Sequence, residues 1–290
     1  MKEEVKNMSE QLPDQLAKLP GGALIQHGPH NDRIYLMKLG KGGAGTLPAD
    51  LIAMARQHDY SKIFVKVPAE HSDQFVQAGY VAEAAIPQFY NGADTGIFMG
   101  YYLNELRAAE TNAAVLDKIL NLALDKSGTA ISSMDRDLFA RQQCEEGDVE
   151  EMAAIYQTVF QTYPFPIHDP DYLRDSMQNE VDYFAVETDG DLIALSSAEI
   201  DKSALNVEMT DFATLPEWRG NSLAIHLLLR MEKEMKEQGI KMAYTIARAV
   251  SVGMNVIFAK LGYAYGGRLK NNTNISGNVE SMNIWYKALS

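Results

Sequence analysis

The sequence predicts an α/β protein, an α+β mixed sheet built from two successive α/β parts, and three observations carry that prediction. Strand-like runs rich in β-branched and aromatic residues alternate with runs of helical periodicity along the whole chain. The order strand, helix, strand, helix, hairpin occurs twice, each time with the second helix ending at Gly-Tyr (Gly79-Tyr80 and Gly262-Tyr263). The composition, 46% hydrophobic and 22% charged over 290 residues, is that of a globular chain long enough for two modest domains or one large one.

In the first part, RIYLMKL (Arg33 to Leu39) and SKIFVKVP (Ser61 to Pro68) alternate as strands do, with the short helix DLIAMARQ between them. The helix AEHSDQFVQ follows and stops at Ala78-Gly79-Tyr80. Val81 to Tyr90 and Ile97 to Leu103 are then strands separated by the turn NGADTG. From Asn104 to Asp125, apolar residues at helical spacing predict one connecting helix that ends before Ser127-Gly128. In the second part, LFARQQC reads as a strand, Asp148 to Phe160 as a helix, TYPFPIHDP as a Pro-rich loop and Asp171 to Gln178 as a helix. Three strands come next: Tyr183 to Thr188, Leu192 to Ile200 and Leu205 to Thr214. The first of their turns, Asp189-Gly190-Asp191, has hairpin chemistry. An amphipathic helix from Ser222 to Gln238 is capped at Gly239. The strand KMAYTIAR, the helix GMNVIFAKL and a final strand pair complete the chain. This reading sets an N-terminal α/β region over 1–124, a linker over 125–134 and a C-terminal domain over 135–290. The repeated order makes the two parts candidate versions of one unit.

Charge narrows the class of ligand. Lys plus Arg number 26 and Asp plus Glu 39, a net charge of −13, which argues against general binding to nucleic acid or to anionic membrane. An anionic ligand then needs a local device, whereas an amine is drawn in by the overall field. The single cysteine, Cys144, excludes an intramolecular disulfide and any site of two thiolates. The opening MKEEVKNMSEQLPDQ has no apolar core of signal-peptide length, and no later run approaches the roughly 18 apolar residues of a membrane span. A cytoplasmic protein is expected.

The most informative stretch is DFATLPEWRGNSLA, Asp211 to Ala224, where a strand breaks at a proline and a helix begins within a few residues. Such a turn gathers several unpaired backbone N–H groups at the positive end of a helix dipole. It can hold a pyrophosphate without net positive charge on the protein. Nearby carboxylates can take a proton from an amine, which is mostly protonated at neutral pH because its pKa lies near about 10.4. Strand alternation in LNVEMTDFAT places Glu208 on the face opposite Asp211.

Arg219, Gly220, Asn221, Ser222, Leu223 and Ala224 resemble the acetyl-CoA motif Arg/Gln-x-x-Gly-x-Gly/Ala of the Gcn-type N-acetyltransferase (GNAT) superfamily, with Ser222 where that family usually has glycine. The later helix NVIFAKLGY is similar to a second GNAT signature through Asn255, Leu261, Gly262 and Tyr263. The resemblance implies a GNAT fold for the C-terminal part and acetyl-CoA as co-substrate. Its thioester would be met by the splayed strand at Phe212, Ala213 and Thr214, and its pantetheine arm would pass beside Asn255. At the position of the usual acidic tyrosine stands Phe258, so the leaving thiolate must take its proton from Tyr263 or Tyr265 or depart without help. Glu208 sits where several GNAT enzymes carry a catalytic glutamate and is the first candidate base; Glu199 is the reserve.

A closer resemblance spans nearly the whole chain. AGYVAEAAIPQFYNG, TYPFPIHDPDYL, SSAEID, EMTDFATLPEWRG, AYTIARAVSVGMN, YGGRLKNNTNISG and ESMNIWYKAL are similar to segments of the β-lysine N-acetyltransferases. That family implies transfer of acetyl to the side-chain amine of β-lysine, whose product is an osmoprotectant. A substrate with two amines and one carboxylate calls for acidic partners, among Glu199, Glu208, Asp211 and Glu280, and for a donor fork, Arg248 or Arg268. Tyr163, Phe165, His168, Asn271 and Asn272 are candidates to wall the pocket. Two other readings share the cofactor residues: a GNAT enzyme for another amine or a protein lysine, and a non-catalytic acetyl-CoA sensor, the latter motivated by Phe258 and Ser222. For the N-terminal region, a degenerate GNAT half, a lid and a homodimer surface stay open. Gly40, Gly42 and Gly45 fit a dinucleotide motif only nominally, because Thr46-Leu47-Pro48 separates them from the next helix. The six histidines offer no metal spacing, and no metal is expected.

Overall fold

The computed structural model describes residues 14–130 and 140–289. The expected linker and the start of the second part at Asp135 fall partly outside them.

One mixed sheet of 13 strands runs through both parts. Strands β1 (Gln15–Lys18), β2 (Leu24–Gly28) and β3 (Arg33–Lys38) pair antiparallel. Helix α1 (Leu47–Gln57) crosses to β4 (Lys62–Pro68), parallel to β3. Helix α2 (Ala69–Gln77) leads to the hairpin β5 (Val81–Tyr90) and β6 (Asp94–Tyr102), with β6 against β4. After α3 (Glu105–Ala108) and α4 (Ala113–Leu124) the second part opens with β7 (Ala140–Gln143), α5 (Val149–Val159) and α6 (Pro170–Gln178). Strands β8 (Val181–Thr188), β9 (Asp191–Asp201) and β10 (Asn206–Thr214) are antiparallel, and α7 (Leu223–Glu237) crosses to β11 (Met242–Arg248), parallel to β10. Helix α8 (Val252–Lys260) leads to the hairpin β12 (Ala264–Ile275) and β13 (Asn278–Ala288), with β13 against β11.

The order β3, β4, β6, β5 is therefore repeated as β10, β11, β13, β12, and the two runs meet edge to edge where Gly267 pairs with Ala84. Gly267 has φ +141°, and a Cβ there would lie 2.3 Å from the Glu83 carbonyl oxygen and 2.6 Å from the Ala84 Cα. Only glycine lets the strands approach so closely.

The structure differs from the sequence reading in two places. Strands β1 and β2 lie where no strand was expected. The single helix expected from Asn104 to Asp125 is divided, because β12 holds the chain at the break. The Asn271 amide donates to the carbonyls of Arg107 and Ala109 (both 2.9 Å), and Glu110 accepts from Arg268 and Ser281. These side-chain bonds offer the backbone an alternative to continuing the helix.

Apolar residues of α1 and α2 pack on the first half-sheet, around Leu51, Ile63, Val65 and Phe75, and those of α7 and α8 on the second, around Leu228, Met231, Phe258 and Trp285. A third cluster, Val149, Tyr156, Leu173 and Leu195, seats α5 and α6. In the middle, Tyr35 and Phe64 join Phe89, Tyr244, Met282 and Ile284. There the sheet folds over on itself, since β3 and β4 meet β9 to β11, distant in strand order. Lys66 donates to the Tyr244 hydroxyl (3.0 Å), Asn206 to the Phe89 carbonyl (3.2 Å), and Lys38 pairs with Asp201 (3.1 Å).

Candidate active site

The ladder between the parallel strands β10 and β11 stops at the pair Glu208 and Tyr244, and beyond it a cleft opens. The cleft measures about 160 Å³ and is lined by Phe212, Thr245, Ala247, Arg248 and Phe258 among others. On its other edge β10 continues along β9 through a one-residue bulge between Thr210 and Ala213, with Asp211 at φ +55°. The bulge corrects the simple alternation read from the sequence. It turns Asp211 to the same side as Glu208, and both carboxylates face one cavity.

That cavity, about 380 Å³, lies where the sheet folds over, so both halves line it. Strands β3 and β4 supply Arg33, Tyr35, Phe64 and Lys66; β9 and β10 supply Glu199, Glu208 and Asp211; the Pro-rich loop supplies Tyr163 and Phe165. Six residues line both the cavity and the cleft: Tyr163, Thr210, Asp211, Ile246, Ile275 and Met282. A group entering through the cleft and one in the cavity therefore meet at Asp211.

The three carboxyls share one electrostatic problem. Burial and the neighbouring charges of Glu208 and Asp211 push Glu199 well above the usual carboxylate range. Burial also raises Glu208, opposed by Lys66 and by a hydrogen bond from the Tyr244 hydroxyl. Asp211 is raised by burial, against hydrogen bonds from Ser197 (2.6 Å) and from the Tyr163 hydroxyl. Carboxyls that resist ionisation because they are buried together ionise more readily beside a cation, which is what an ammonium ligand provides.

At the N-terminus of α7, Gly220 (φ +90°) and Ser222 (φ +60°) are both left-handed. Among the described residues, no acceptor meets the N–H groups of Gly220, Asn221, Ser222, Leu223 or Ala224, and a Cβ at Gly220 would meet nothing within 4 Å. The concavity is open, lined by backbone donors and backed by the helix dipole, so these residues fit the pyrophosphate of acetyl-CoA. Asn221 is turned to the Trp218 carbonyl (2.9 Å) and Arg219 to that of Thr214 (3.4 Å), bracing the turn.

Other residues singled out from the sequence are engaged in other contacts. Asn255 donates to the carbonyls of Arg248 (3.0 Å) and Ser251 (2.7 Å) and accepts from Asn283 (2.8 Å) and the Trp285 indole (2.9 Å). With both protons and both lone pairs engaged, its side chain braces α8 against β11 and β13. Phe258 packs edge-on against Phe212 (5.8 Å) and Tyr263 (5.0 Å). Tyr263 is buried behind it, beside Glu232, and lines neither the cleft nor the cavity. Tyr265 packs on Trp285. The fork expected at Arg248 is closed by Glu280 (2.8 and 2.6 Å), and that at Arg268 by Glu110 and Asp117 (3.0 and 2.9 Å). Asn271 faces α3, and its neighbour Asn272 lines the cavity. Sequence reasoning missed Arg33, Tyr35 and Lys66. The signal was the period-2 pattern of RIYLMK, which puts Arg33, Tyr35 and Met37 on one face of an otherwise apolar strand.

Splayed parallel strands, a backbone-lined turn at a helix start and a carboxylate at their junction define an acetyltransferase of the GNAT class, and residues 149–263 match the acetyltransferase (GNAT) family. The GNAT fold implies acetyl-CoA as acetyl donor. The chain is 40% identical over 265 residues, 91% of its length and 96% of the other's, to a β-lysine N(6)-acetyltransferase of Methanococcus maripaludis. It is 32% identical to the β-lysine N(6)-acetyltransferase of Methanosarcina mazei, over 82% of this chain and 95% of that one, and 32% identical to N-acetyltransferase YodP of Bacillus subtilis, over 92% and 96%. The chain belongs to the β-lysine N(6)-acetyltransferase family.

Proposed function

We propose that this protein transfers acetyl from acetyl-CoA to the side-chain amine of β-lysine, giving Nε-acetyl-β-lysine. The observation that carries the reading is the meeting of the β10–β11 cleft with a three-carboxylate cavity at Asp211. A substrate with two ammonium groups matches that cavity in charge, and its relatives' names match it in chemistry.

Acetyl-CoA, when bound, supplies an acyl thioester. The N–H groups of residues 220–224 hold its pyrophosphate, and the β10 edge at Phe212, Ala213 and Thr214 orients its acyl end. Asp211, common to cleft and cavity, accepts the proton of the attacking amine. Glu208, the base favoured by the sequence, lines the cavity alone and with Glu199 holds ammonium. Tyr163, whose hydroxyl donates to Asp211, is the phenol at the junction. It passes a proton back toward the leaving sulfur, the task first sought in Tyr263.

Acetylation takes β-lysine from net positive to net neutral, which suits a solute accumulated in the cytoplasm as an osmoprotectant. The 1–124 and 135–290 regions are then two halves of one working unit.

CoA-thiol release by the purified protein tests the reading, with β-lysine, α-lysine, spermidine and no acceptor compared at one concentration. Preferred turnover of β-lysine is expected. Preference for another amine overturns the substrate, and acetyl-CoA binding without release on any amine overturns the enzyme.

A further inference from the structure

Arg33 is 4% exposed, and burial lowers its pKa to about 10. Its Nη1 donates to the Asn272 carbonyl (2.5 Å) and the Thr273 hydroxyl (3.0 Å), and its guanidinium lies over the rings of Tyr35 (5.5 Å) and Phe64 (5.9 Å). No carboxylate comes within ion-pair distance of it among the described residues. Its Nε is buried without an acceptor. The Oδ1 of the adjacent Asn272 is buried without a donor. Both residues line the acceptor cavity, whose acidic groups sit on the opposite half-sheet.

A buried guanidinium with an unsatisfied donor and no carboxylate in contact, the charges of Asp14 and Glu208 reaching it only from beyond ion-pair distance, is costly to keep unless something supplies the anion. The two arginines that the sequence offered for this fork cannot supply it, since Arg248 and Arg268 are already closed by carboxylates. Orphan donor and orphan acceptor in one place also match an amino-acid head group, which offers a carboxylate and an ammonium a short distance apart.

We propose that Arg33 and Asn272 form the head-group subsite for the acceptor, Arg33 taking its carboxylate and the Asn272 Oδ1 sharing its non-reacting ammonium with Glu199 and Glu208. The inference rests on the β-lysine reading above and extends it. The N-terminal half is part of the active site, and it selects amino-acid acceptors over simple polyamines. The reacting amine then lies at the far end, toward Asp211.

The test compares β-lysine with 1,4-diaminopentane, which is β-lysine without its carboxyl group, in steady-state kinetics on the full chain. Wild-type protein is expected to favour β-lysine strongly in kcat/KM. In Arg33→Gln that preference should fall about 100-fold, through KM more than kcat, with acetyl-CoA affinity measured in parallel by calorimetry. Arg33→Lys, which keeps the charge and loses the fork, serves if the glutamine variant does not fold, and should recover only part of the preference. Equal losses on both amines would show a structural role and overturn the proposal, as would a wild-type enzyme indifferent to the carboxyl group. A wild-type enzyme that acetylates other amines and not β-lysine overturns the substrate reading itself. Intact β-lysine preference in the variants overturns Arg33 alone.

Discussion

Glu199 of β9 and Glu208 of β10 stand directly opposite each other as an antiparallel pair, both facing the acceptor cavity. Like charges so placed repel, and burial adds to the cost, so the pair titrates as a unit above the ordinary carboxylate range. The folded chain then holds these protons more tightly than the unfolded chain. The resulting penalty on stability is absent well below the ordinary value of about 4.3, grows as pH rises from there toward the folded values, and levels off once pH has passed them. Glu199→Gln removes one charge of the pair without changing its shape. Its melting temperature is expected to exceed wild type by a few degrees at pH 8 and to approach it at about pH 3.5, below the ordinary carboxylate value. The same variant should raise KM for β-lysine about tenfold, the effect of losing roughly 1.4 kcal/mol of ion pairing. A lower melting point at pH 8 would show that the pair is not under strain.

Asp211 differs from that pair in position and in backbone. It lies at the junction of cleft and cavity and is left-handed at φ +55°, a conformation asparagine also tolerates. Asp211→Asn therefore keeps the bulge and removes the proton acceptor. A drop in kcat of about 10²- to 10⁴-fold is expected, with acetyl-CoA binding within twofold of wild type. Glu208→Gln is expected to act mainly on KM. If the two variants exchange these behaviours, Glu208 is the base.

Much of this was legible in the sequence because it is local. Strand alternation, the Pro-Glu-Trp-Arg-Gly-Asn-Ser turn and the Gly-Tyr helix ends announce themselves within a few residues, and each lies where the pattern puts it. What could not be read was long-range. The bulge at Asp211 depends on β9, and it overrides an alternation argument that was sound for a regular strand. The closing of Arg248 by Glu280 depends on register between β11 and β13. Above all, the folding over of one sheet brings Arg33 from the region with no assigned role to the carboxylates of β9 and β10.

The joint between the halves makes a separate prediction. A single residue pair, Gly267 and Ala84, links β12 to β5, and any Cβ on residue 267 collides with the backbone of Glu83 and Ala84. Backbone cannot yield as a flexible side chain does. Gly267→Ala is expected to cost about 3 kcal/mol in chemical denaturation, combining overpacking with a strained positive φ. Because the acceptor cavity is shared by both halves, KM for β-lysine should rise while acetyl-CoA binding, assigned above to the second half, is held. Unchanged stability would mean that the halves are joined mainly by the cavity walls.

Asn255 offers the converse case, a residue singled out for the cofactor whose bonds are all internal. Its four hydrogen bonds join the end of β11, the N-cap residue of α8 and the indole of Trp285, a side chain with no exposure. Asn255→Ala leaves the Trp285 N–H and the Asn283 amide buried without an acceptor. Each such orphan costs about 1–3 kcal/mol, so a total near 3 kcal/mol and a melting temperature lower by roughly 6–10 °C are expected. If the side chain also contacted the pantetheine arm, acetyl-CoA affinity below the melting transition would fall well beyond what unfolding explains. The full engagement of its amide leaves nothing for that contact, so affinity measured by calorimetry at 15 °C should stay within about threefold of wild type, a difference of roughly 0.7 kcal/mol.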